Sequence, residues 1–577
     1  MNKTLVSIFT LVVFCGMFIS CSVKSSDQEI ENALYVPKGF IAKVFVDSIT
    51  ETVRHLTVSE NNTVYAKFKK TSDAGSMAAI ADRDGDGRSD ELVKFANDSM
   101  IKGYGYSTGA RIYNEYLYFS TELAVYRYKL NDSTFVPEGP IETVLVDDHE
   151  HGMHEHIGKP IAFDENGYMY VPFGAPNNAC QEPKRTPFQP GQDPCPLLGD
   201  HAGIWRFDAN KLNQTQKDGE QFATGLRSIV GLDWNSADKK LYAVVHGRDD
   251  LMRLWPDRYD GWQSAVLPSE EFLRIEKGDN FGWPYCYYDQ IKGMRVDSPE
   301  YGGDGSTTSR CGDFKNPIFG FPGHWAPNDL VFYHGDAYPE RYKNGAFIAF
   351  HGSTNRAPYP QSGYFIGFVP FENGEPTGEY EVFADGFAEV DPIVNVRDAV
   401  YRPMGIAFGP DGTMYIGDTE KGRIWSIKFT GDKNNFGKDE LAEMEERKKL
   451  SHIRTPDPIE DNLTKDLDLT LGGKIYTTYC VACHQINGKG ASGRFPPLNK
   501  TDWVVGDKKR LISLIINGLE GQIEVNGETY NGIMPQHSFL SDEEIAGVLT
   551  YIRSNFGNNA SAVTTEEVKA IRTKQTN

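Results

Sequence analysis

Basic residues are scarce in this chain relative to acidic ones: 59 Lys and Arg face 80 Asp and Glu across 577 residues, a formal net charge of −21. Such a field repels polyanions and excludes nucleic acid as a natural partner, whereas a neutral or cationic small molecule meets no such barrier. Long apolar runs are equally rare. Leu5 to Ile19 is one, shorter than the roughly 20 residues a membrane span requires, and no other run approaches that length. Helical periodicity is missing up to about Phe429, which argues against a helical bundle there. The bias of disordered or collagen-like chains is absent too: hydrophobic residues make up 39 % and aromatics 12 %, with 57 Gly and 29 Tyr, a turn-rich composition that leans toward β structure. The length exceeds the roughly 250–300 residues at which one core stops growing, so at least two domains are expected.

Cysteine is sparse, with eight in the chain. The first two lie in MNKTLVSIFTLVVFCGMFISC, where a lysine, an apolar run and small Ser20 read as a secretory signal. Phe18-Ile19-Ser20-Cys21 resembles a bacterial lipoprotein cleavage box, although Phe18 stands where Leu is usual. The expectation is that residues 1–20 are removed, that Cys21 is lipidated and that 21–34 form a tether. The body is then anchored to a membrane, periplasmic or at the cell surface, in an oxidising compartment. Plain secretion is the alternative.

From about Tyr35 the text alternates short apolar strands with Gly, Asn and Asp turns. One phrase recurs, a turn followed by a β-rich apolar pair, centred on Tyr65, Tyr118, Tyr170, Tyr242, Phe347 and Tyr415. The intervals are 53, 52, 72, 105 and 68 residues, which suits six four-stranded blades of a β-propeller over 35–430 with insertions in the later ones. A pair of β-sandwiches is the plainer alternative. Residues 431–468 are charged and Pro-containing, a linker with a short solvated helix in KDELAEMEERKK. From 469 to 557 the pattern is helical, and SDEEIAGVLTYIRSNFG opens with a Ser cap and an acidic first turn. The fold class is therefore an all-β six-bladed propeller followed by a small all-α domain, with a C-terminal tail over 558–577 that adds a short docking helix.

Cys480-Val481-Ala482-Cys483-His484 is the C-x-x-C-H pattern of covalent haem attachment. Its thiols reach the two vinyl groups from one helical turn, and His484 ligates iron. A redox C-x-x-C or half a zinc site is the rival, but no second cysteine pair follows. Met534, in NGIMPQH, is the expected distal ligand, on an extended Pro-bearing loop, with His537 as runner-up. GKGASGRFPPL, the NGIMP loop and the terminal LSDEEIAGVLTYIR helix closely resemble class I cytochromes c over residues 469–556. A haem carries one electron, so the propeller is expected to be its electron source or sink.

In the propeller text the dense segments are His149, His151, His154 and His156; GLRSIVGL around Arg227; VHGRDD; GDNFGWPYCY; FHGSTNR; and YRPMGIAFGPDG. The four histidines allow a transition-metal site, a solvated loop, or a general base at the channel mouth with Asp147 or Asp148 to orient it. HIGKPIAF with YMYVPFGAPNNACQ, GLRSIVGLDW and GDNFGWPY resemble the soluble pyrroloquinoline quinone (PQQ) sugar dehydrogenases, the six-bladed glucose and sorbosone type, over most of 35–429. The resemblance implies that His156 is the catalytic base, oriented by Asp148. It implies further that Arg227, Arg356 and Arg402 hold the quinone's carboxylates and that the carbonyls of Gly247 and Arg248 hold a Ca²⁺. Departures stand beside it: Arg227-Ser228 where glucose-oxidising members have Arg-Asn, Gly247-Arg248 where they have Gly-Pro, and Thr354 where relatives often place Trp.

Asp82, Asp84 and Asp86, with Gly87, satisfy D-x-D-x-D-G, but position 12 is Val93 and not Glu, which leaves Asp90 or Glu91 to close the shell; a structural Ca²⁺ loop and a plain acidic turn are both open. Cys180 with Cys195 and Cys286 with Cys311 are the simplest disulfide pairing by sequence proximity; two other pairings exist arithmetically. The leading expectation is a sugar or alcohol dehydrogenase that uses PQQ, Ca²⁺ and haem c and passes electrons from a small-molecule sugar to an external acceptor. A Ca²⁺-dependent propeller hydrolase or lactonase, and a glycan-binding propeller with a relay haem, are the competing readings.

Overall fold

The computed structural model describes residues 34–103, 108–131, 133–149, 155–461 and 470–575. The signal segment, Cys21, most of the tether, His151 and His154 lie outside the described residues. Among the described residues no helix is long and apolar enough to cross a membrane.

Six antiparallel four-stranded sheets run in chain order and form the blades. The recurring phrase falls on the second strand of each: Val64–Ser72, Tyr116–Ser120, Tyr168–Phe173, Lys240–Val245, Ala346–Phe350 and Met414–Asp418. Its six aromatic residues are buried, and each enters the apolar cluster shared with the following blade. Tyr65 packs with Leu117 and Phe119, for example, and Phe347 with Ile406 and Met414. Burying one such ring stabilises by roughly 2–3 kcal/mol, so the phrase marks the blade-to-blade contact. The last blade is completed by the first strand, Phe40–Val46, which pairs antiparallel with Ile424–Phe429, so that the ring has no open seam. The long intervals hold insertions. Blade 4 carries helices Leu251–Leu254 and Gly261–Val266 and the hairpin Cys286–Asp289/Met294–Asp297, and blade 5 a hairpin at Phe371–Glu372/Glu375–Pro376. Both disulfides follow sequence proximity, Cys180–Cys195 and Cys286–Cys311.

The linker differs from expectation. Its helix, Lys438–Arg447, forms but is not solvated on all sides, because Leu441 and Met444 make one apolar edge that is buried against the propeller. Beyond it the chain is strapped down. Arg447 lies 3.6 Å over the Tyr35 ring and pairs with Asp385 at 2.6 Å, and His452 sits between Asp385 at 3.0 Å and Asp391 at 2.9 Å.

The helical domain packs the helices Leu471–Ile475, Lys508–Asn517 and Asp542–Ser554 around one apolar cluster. Gly472 lets the first cross the last: a Cβ there would stand 2.2 Å from the Gly547 carbonyl oxygen. The tail helix Thr565–Gln575 docks through buried Val568 and an Arg572–Asp542 pair at 2.7 Å. Asn526-Gly527, both at positive φ, turn the hairpin Leu519–Val525/Glu528–Met534, so Met534 ends a strand and not an extended loop.

Burial opposes the charge on His452, but its bonds to Asp385 and Asp391 outweigh that and push it up to about 9. A histidine raised above its unfolded value stabilises while protonated, fully so below about pH 6.5, and the contribution fades as pH climbs toward 9. We expect urea denaturation of the wild-type chain to show stability falling between pH 6.5 and 9.5, with His452→Gln flattening that fall. An unchanged slope in the variant would remove His452 as its source.

Candidate functional site

Because strands alternate in direction, the connections after each second strand and those entering each first strand reach the same face. His246, Gly247 and Arg248 follow the second strand of blade 4, and His351 that of blade 5; His156, Arg227 and Arg402 precede the first strands of blades 3, 4 and 6. The channel mouth therefore gathers most of the expected site. Asp82 to Asp90 bridge the third and fourth strands of blade 1 and belong to the opposite face.

At the mouth, His156 Nδ1 donates to the Ala175 carbonyl at 2.8 Å, which leaves Nε2 as the proton acceptor. Burial, with Arg227 next, holds its pKa well below the usual imidazole value, so the ring is neutral near pH 7. Asp148 does not orient it: that side chain is exposed. The carboxylate beside His156 is Glu155, clasped by Arg185 with contacts of 2.5–3.1 Å; burial opposes its charge, but Arg185 prevails and draws it down to about 2. Asp147 instead pairs with Lys159 at 2.5 Å and with His149 at 2.8 Å. The histidine-rich segment is divided, since His149 lies with Asp200 and His201, their ligand atoms within 4.8 Å of one another.

Arg227 donates to the Gly247 carbonyl at 2.7 Å, to Asn178 at 2.8 Å and to Asp249 at 3.0 Å. Arg402 donates to His351 Nδ1 at 3.0 Å and to the Gly352 carbonyl, so His351 Nε2 carries its proton toward Thr419 at 2.7 Å. Arg356 is wholly buried beneath the strap, where Nη2 donates to the Arg454 carbonyl at 3.2 Å. Burial draws it down to about 9 against the pull of Asp461. Its Nε and Nη1, and Nε of Arg227, are buried with no hydrogen-bond partner. Orphaned guanidinium nitrogens at a channel mouth fit an anionic ligand such as a polycarboxylate. The Gly247 carbonyl accepts from Arg227 Nη1, and its second lone pair suits a hard cation.

Several mouth residues escaped the sequence reading. Glu270 accepts from the Gly247 and Ala326 amides, and burial pushes it up to about 8, so it is largely neutral at pH 7. His246 donates to the Pro327 carbonyl at 3.0 Å, and His324 to that of Ser264 at 2.8 Å. The signal for His246 was the His-Gly pair repeated after the second strands of blades 4 and 5. Asp249 and Asp250 stood in the VHGRDD segment without an assigned role, and Arg185 lies in a loop with no pattern of its own.

In the helical domain, Thr470 caps the first helix, a π turn spans Tyr476–Cys480, and Val481–His484 completes the motif. The buried Tyr476 hydroxyl donates to the Gln485 carbonyl at 2.6 Å. His484 Nδ1 donates to the Pro496 carbonyl at 2.9 Å, which fixes the tautomer and turns Nε2 to a metal. Cys480, Cys483 and His484 line an apolar cleft, with Met534 and His537 among the other walls. An apolar cleft over a thiol pair and a singly oriented histidine fits a haem. Met534 and His537 both remain geometrically able to serve as distal ligand; neither ring nitrogen of His537 has a hydrogen-bond partner.

This domain sits on the mouth face. Gln485 accepts from Gln361 at 3.1 Å and donates to the Thr354 carbonyl at 2.7 Å; Asn395 donates to the Gly490 carbonyl at 2.9 Å, and Arg397 pairs with Glu528 at 3.0 Å.

On the opposite face Asp82, Asp84 and Asp90 bring carboxylates within 4.8 Å of one another. Asp86 is not with them; its carboxylate accepts from the Arg88 amide at 2.8 Å, and Glu91 is paired with Arg83 at 2.9 Å.

The TrAA12-like family model matches residues 34–430, and the cytochrome c model residues 469–556. Cytochrome c-552 of Thermus thermophilus is 42 % identical over 113 residues, covering 18 % of this chain and 86 % of that protein. Among solved structures, the Carbohydrate-Active Enzymes Family AA12 protein of Trichoderma reesei, in an iodide structure, superposes with a TM-score of 0.55 at 18 % identity, over 69 % of this chain and 98 % of that one. The holo form of the pyranose dehydrogenase PQQ domain of Coprinopsis cinerea does so with 0.55 at 16 %, over 68 % and 97 %. At these identities the two structures speak for the six-bladed fold. The chain belongs to the TrAA12-like family, its propeller continued by a C-terminal cytochrome c domain.

Proposed function

We propose that the chain is an oxidoreductase that removes two electrons from a sugar-type alcohol or aldehyde at the propeller mouth. It passes them singly to the haem c of the helical domain and from there to an external acceptor. One observation carries the reading: the loop leaving the second strand of blade 4 places Gly247 and Arg248 at the mouth and, five residues on, Arg253 in the wall of the haem cleft. Propeller site and haem site thus share a loop. A pyranose dehydrogenase PQQ domain among the fold's relatives supports PQQ and a pyranose-like substrate.

When bound, PQQ supplies the two-electron acceptor, and the haem supplies the one-electron carrier. The chain's own part follows from the site. His156 accepts the substrate hydroxyl proton at Nε2, held in line by the Ala175 carbonyl and kept neutral by burial. Arg227 and Arg356 would hold the quinone's carboxylates with their unpartnered nitrogens, and Arg402 adds positive charge from blade 6. The Gly247 and Arg248 carbonyls would be the oxygen donors for Ca²⁺. Cys480 and Cys483 would anchor the haem, and His484 and Met534 would ligate its iron. We propose, further, export and lipid anchoring through Cys21, which the two disulfides support.

Haem absorbance of the full chain, supplied with PQQ and Ca²⁺ and mixed with a panel of aldoses and polyols, tests the coupling. Reduction by at least one sugar is expected, and none by any under conditions where PQQ binds would sink it. His156→Ala should lower kcat by about 10²–10⁴-fold with PQQ still bound; retained activity dismisses the base. With wild type, the rate should stay level as pH falls through 6.5, because burial and the Arg227 charge keep His156 unprotonated there. For the axial ligand, Met534→Ala should abolish the sulfur-to-iron charge-transfer band of the oxidised haem, while His537→Ala keeps it. The reverse pattern assigns His537.

A further inference from the structure

The haem cleft has one wall from the propeller. Arg253, on the four-residue helix Leu251–Leu254, lines it beside Cys480, Cys483 and His537. That helix packs against the π turn Tyr476–Cys480, and Phe188, whose amide donates to the Leu254 carbonyl, meets Phe539 with ring centroids 6.1 Å apart. Phe539 in turn contacts Tyr479 at 5.3 Å, next to the first haem cysteine. The thioether edge of the motif therefore faces the propeller.

Arg253 is 3 % exposed, and its Nε has no hydrogen-bond partner. Nη2 donates to Asp250 at 2.7 Å, and Asp250 also accepts from Arg185 at 2.6 Å. Arg185 continues to Asp249 at 3.2 Å, and Asp249 to Arg227 at 3.0 Å. Five charges of alternating sign, with Arg253, Asp250 and Arg227 buried and Arg185 and Asp249 half-buried, thus run from the mouth to the haem cleft. Asp250 is pinned in a left-handed backbone conformation, φ 69°, uncommon outside glycine.

We propose that Arg253, in the wall of the haem cleft, and Asp250, paired with it, are residues of the propeller that tune the haem, two opposed buried charges beside its attachment point that set how readily it accepts an electron. Ferric haem carries one more positive charge than ferrous, so a nearby cation favours the one-electron reduction of iron(III) to iron(II) and a nearby anion disfavours it, most strongly where water is excluded. The tuning needs only the haem; the origin of the electron at the mouth rests on the reading above.

Redox titration of the full haem-loaded chain, with dithionite as reductant and ferricyanide as oxidant, tests it without quinone or sugar. Arg253→Gln removes the cation from the cleft wall and should lower the reduction potential; Asp250→Asn leaves Arg253 without its carboxylate partner and should raise it. Each shift should correspond to at least a threefold change in the reduction equilibrium, about 28 mV at 59 mV per tenfold for one electron. Arg253→Lys should return most of the wild-type value, and an unaltered haem spectrum checks that each variant is folded. Shifts of the same sign, or none beyond twofold, overturn the proposal in favour of a purely structural ion pair. Opposite shifts without sugar-driven haem reduction keep it while the quinone reading falls, and same-sign shifts with sugar-driven reduction do the converse.

Discussion

Contact between neighbouring blades is the interaction on which the remaining structure depends. Six second-strand aromatics, from Tyr65 to Tyr415, each pack into the cluster shared with the next blade, and Phe40–Val46 completes the last sheet. A four-stranded blade alone cannot bury both of its faces, so the ring is stable only when closed. Once it is closed, antiparallel parity decides which loops meet. Connections after second strands and before first strands converge on one face, and the third-to-fourth connection holding Asp82 to Asp90 goes to the other. Chemistry-bearing residues scattered from His156 to Arg402 thereby arrive at one mouth.

Desolvation then dictates how those residues are arranged. A buried charge without a partner costs several kcal/mol, so the mouth either pairs its charges or neutralises them. Arg185 is surrounded by Glu155, Asp249 and Asp250, while Glu270 and the histidines 156, 246, 324 and 351 are driven toward their neutral forms. The exceptions are the unpartnered nitrogens of Arg227, Arg253 and Arg356. Two of these residues stand at or beside the mouth and the third in the haem cleft, which is where an anionic or redox-active ligand would repay the cost.

Much of this was legible in the sequence, for identifiable reasons. The repeated phrase could be read because each second strand needs a turn before it and an aromatic in the blade contact. C-x-x-C-H could be read because haem attachment demands fixed covalent spacing, and the disulfides because their partners are near in sequence. Asp148 failed for the opposite reason: neighbours in the chain diverge in a loop, and Glu155, adjacent to His156, holds the charge instead. Asp86 lies apart from Asp82, Asp84 and Asp90, because the spacing of the pattern does not by itself bring all four carboxylates together. The linker looked solvated by composition, yet Leu441 and Met444, three apart on one helix face, were enough to dock it. The hairpin ending at Met534 was announced by Asn526-Gly527 between alternating apolar residues, a signal that the Pro535 beside it overshadowed.

Strap and interface together determine what kind of electron transfer the molecule supports. A haem domain on a free tether meets its partner by search, at an effective concentration set by tether length. Here the chain leaving the propeller is held by Arg447 and His452, by Trp262 on the Pro456 carbonyl and by Arg356 on the Arg454 carbonyl, while Gln485 and Asn395 fasten the haem domain to the mouth face. Buried Gln485 commits its amide to the propeller, so undocking would strand polar groups that are now paired. In the described geometry the haem domain is docked on the mouth face. Arg356 ties the strap down from the other side: among the described residues the one hydrogen bond of its guanidinium is donated to the Arg454 carbonyl, so this part of the strap covers the edge of the mouth.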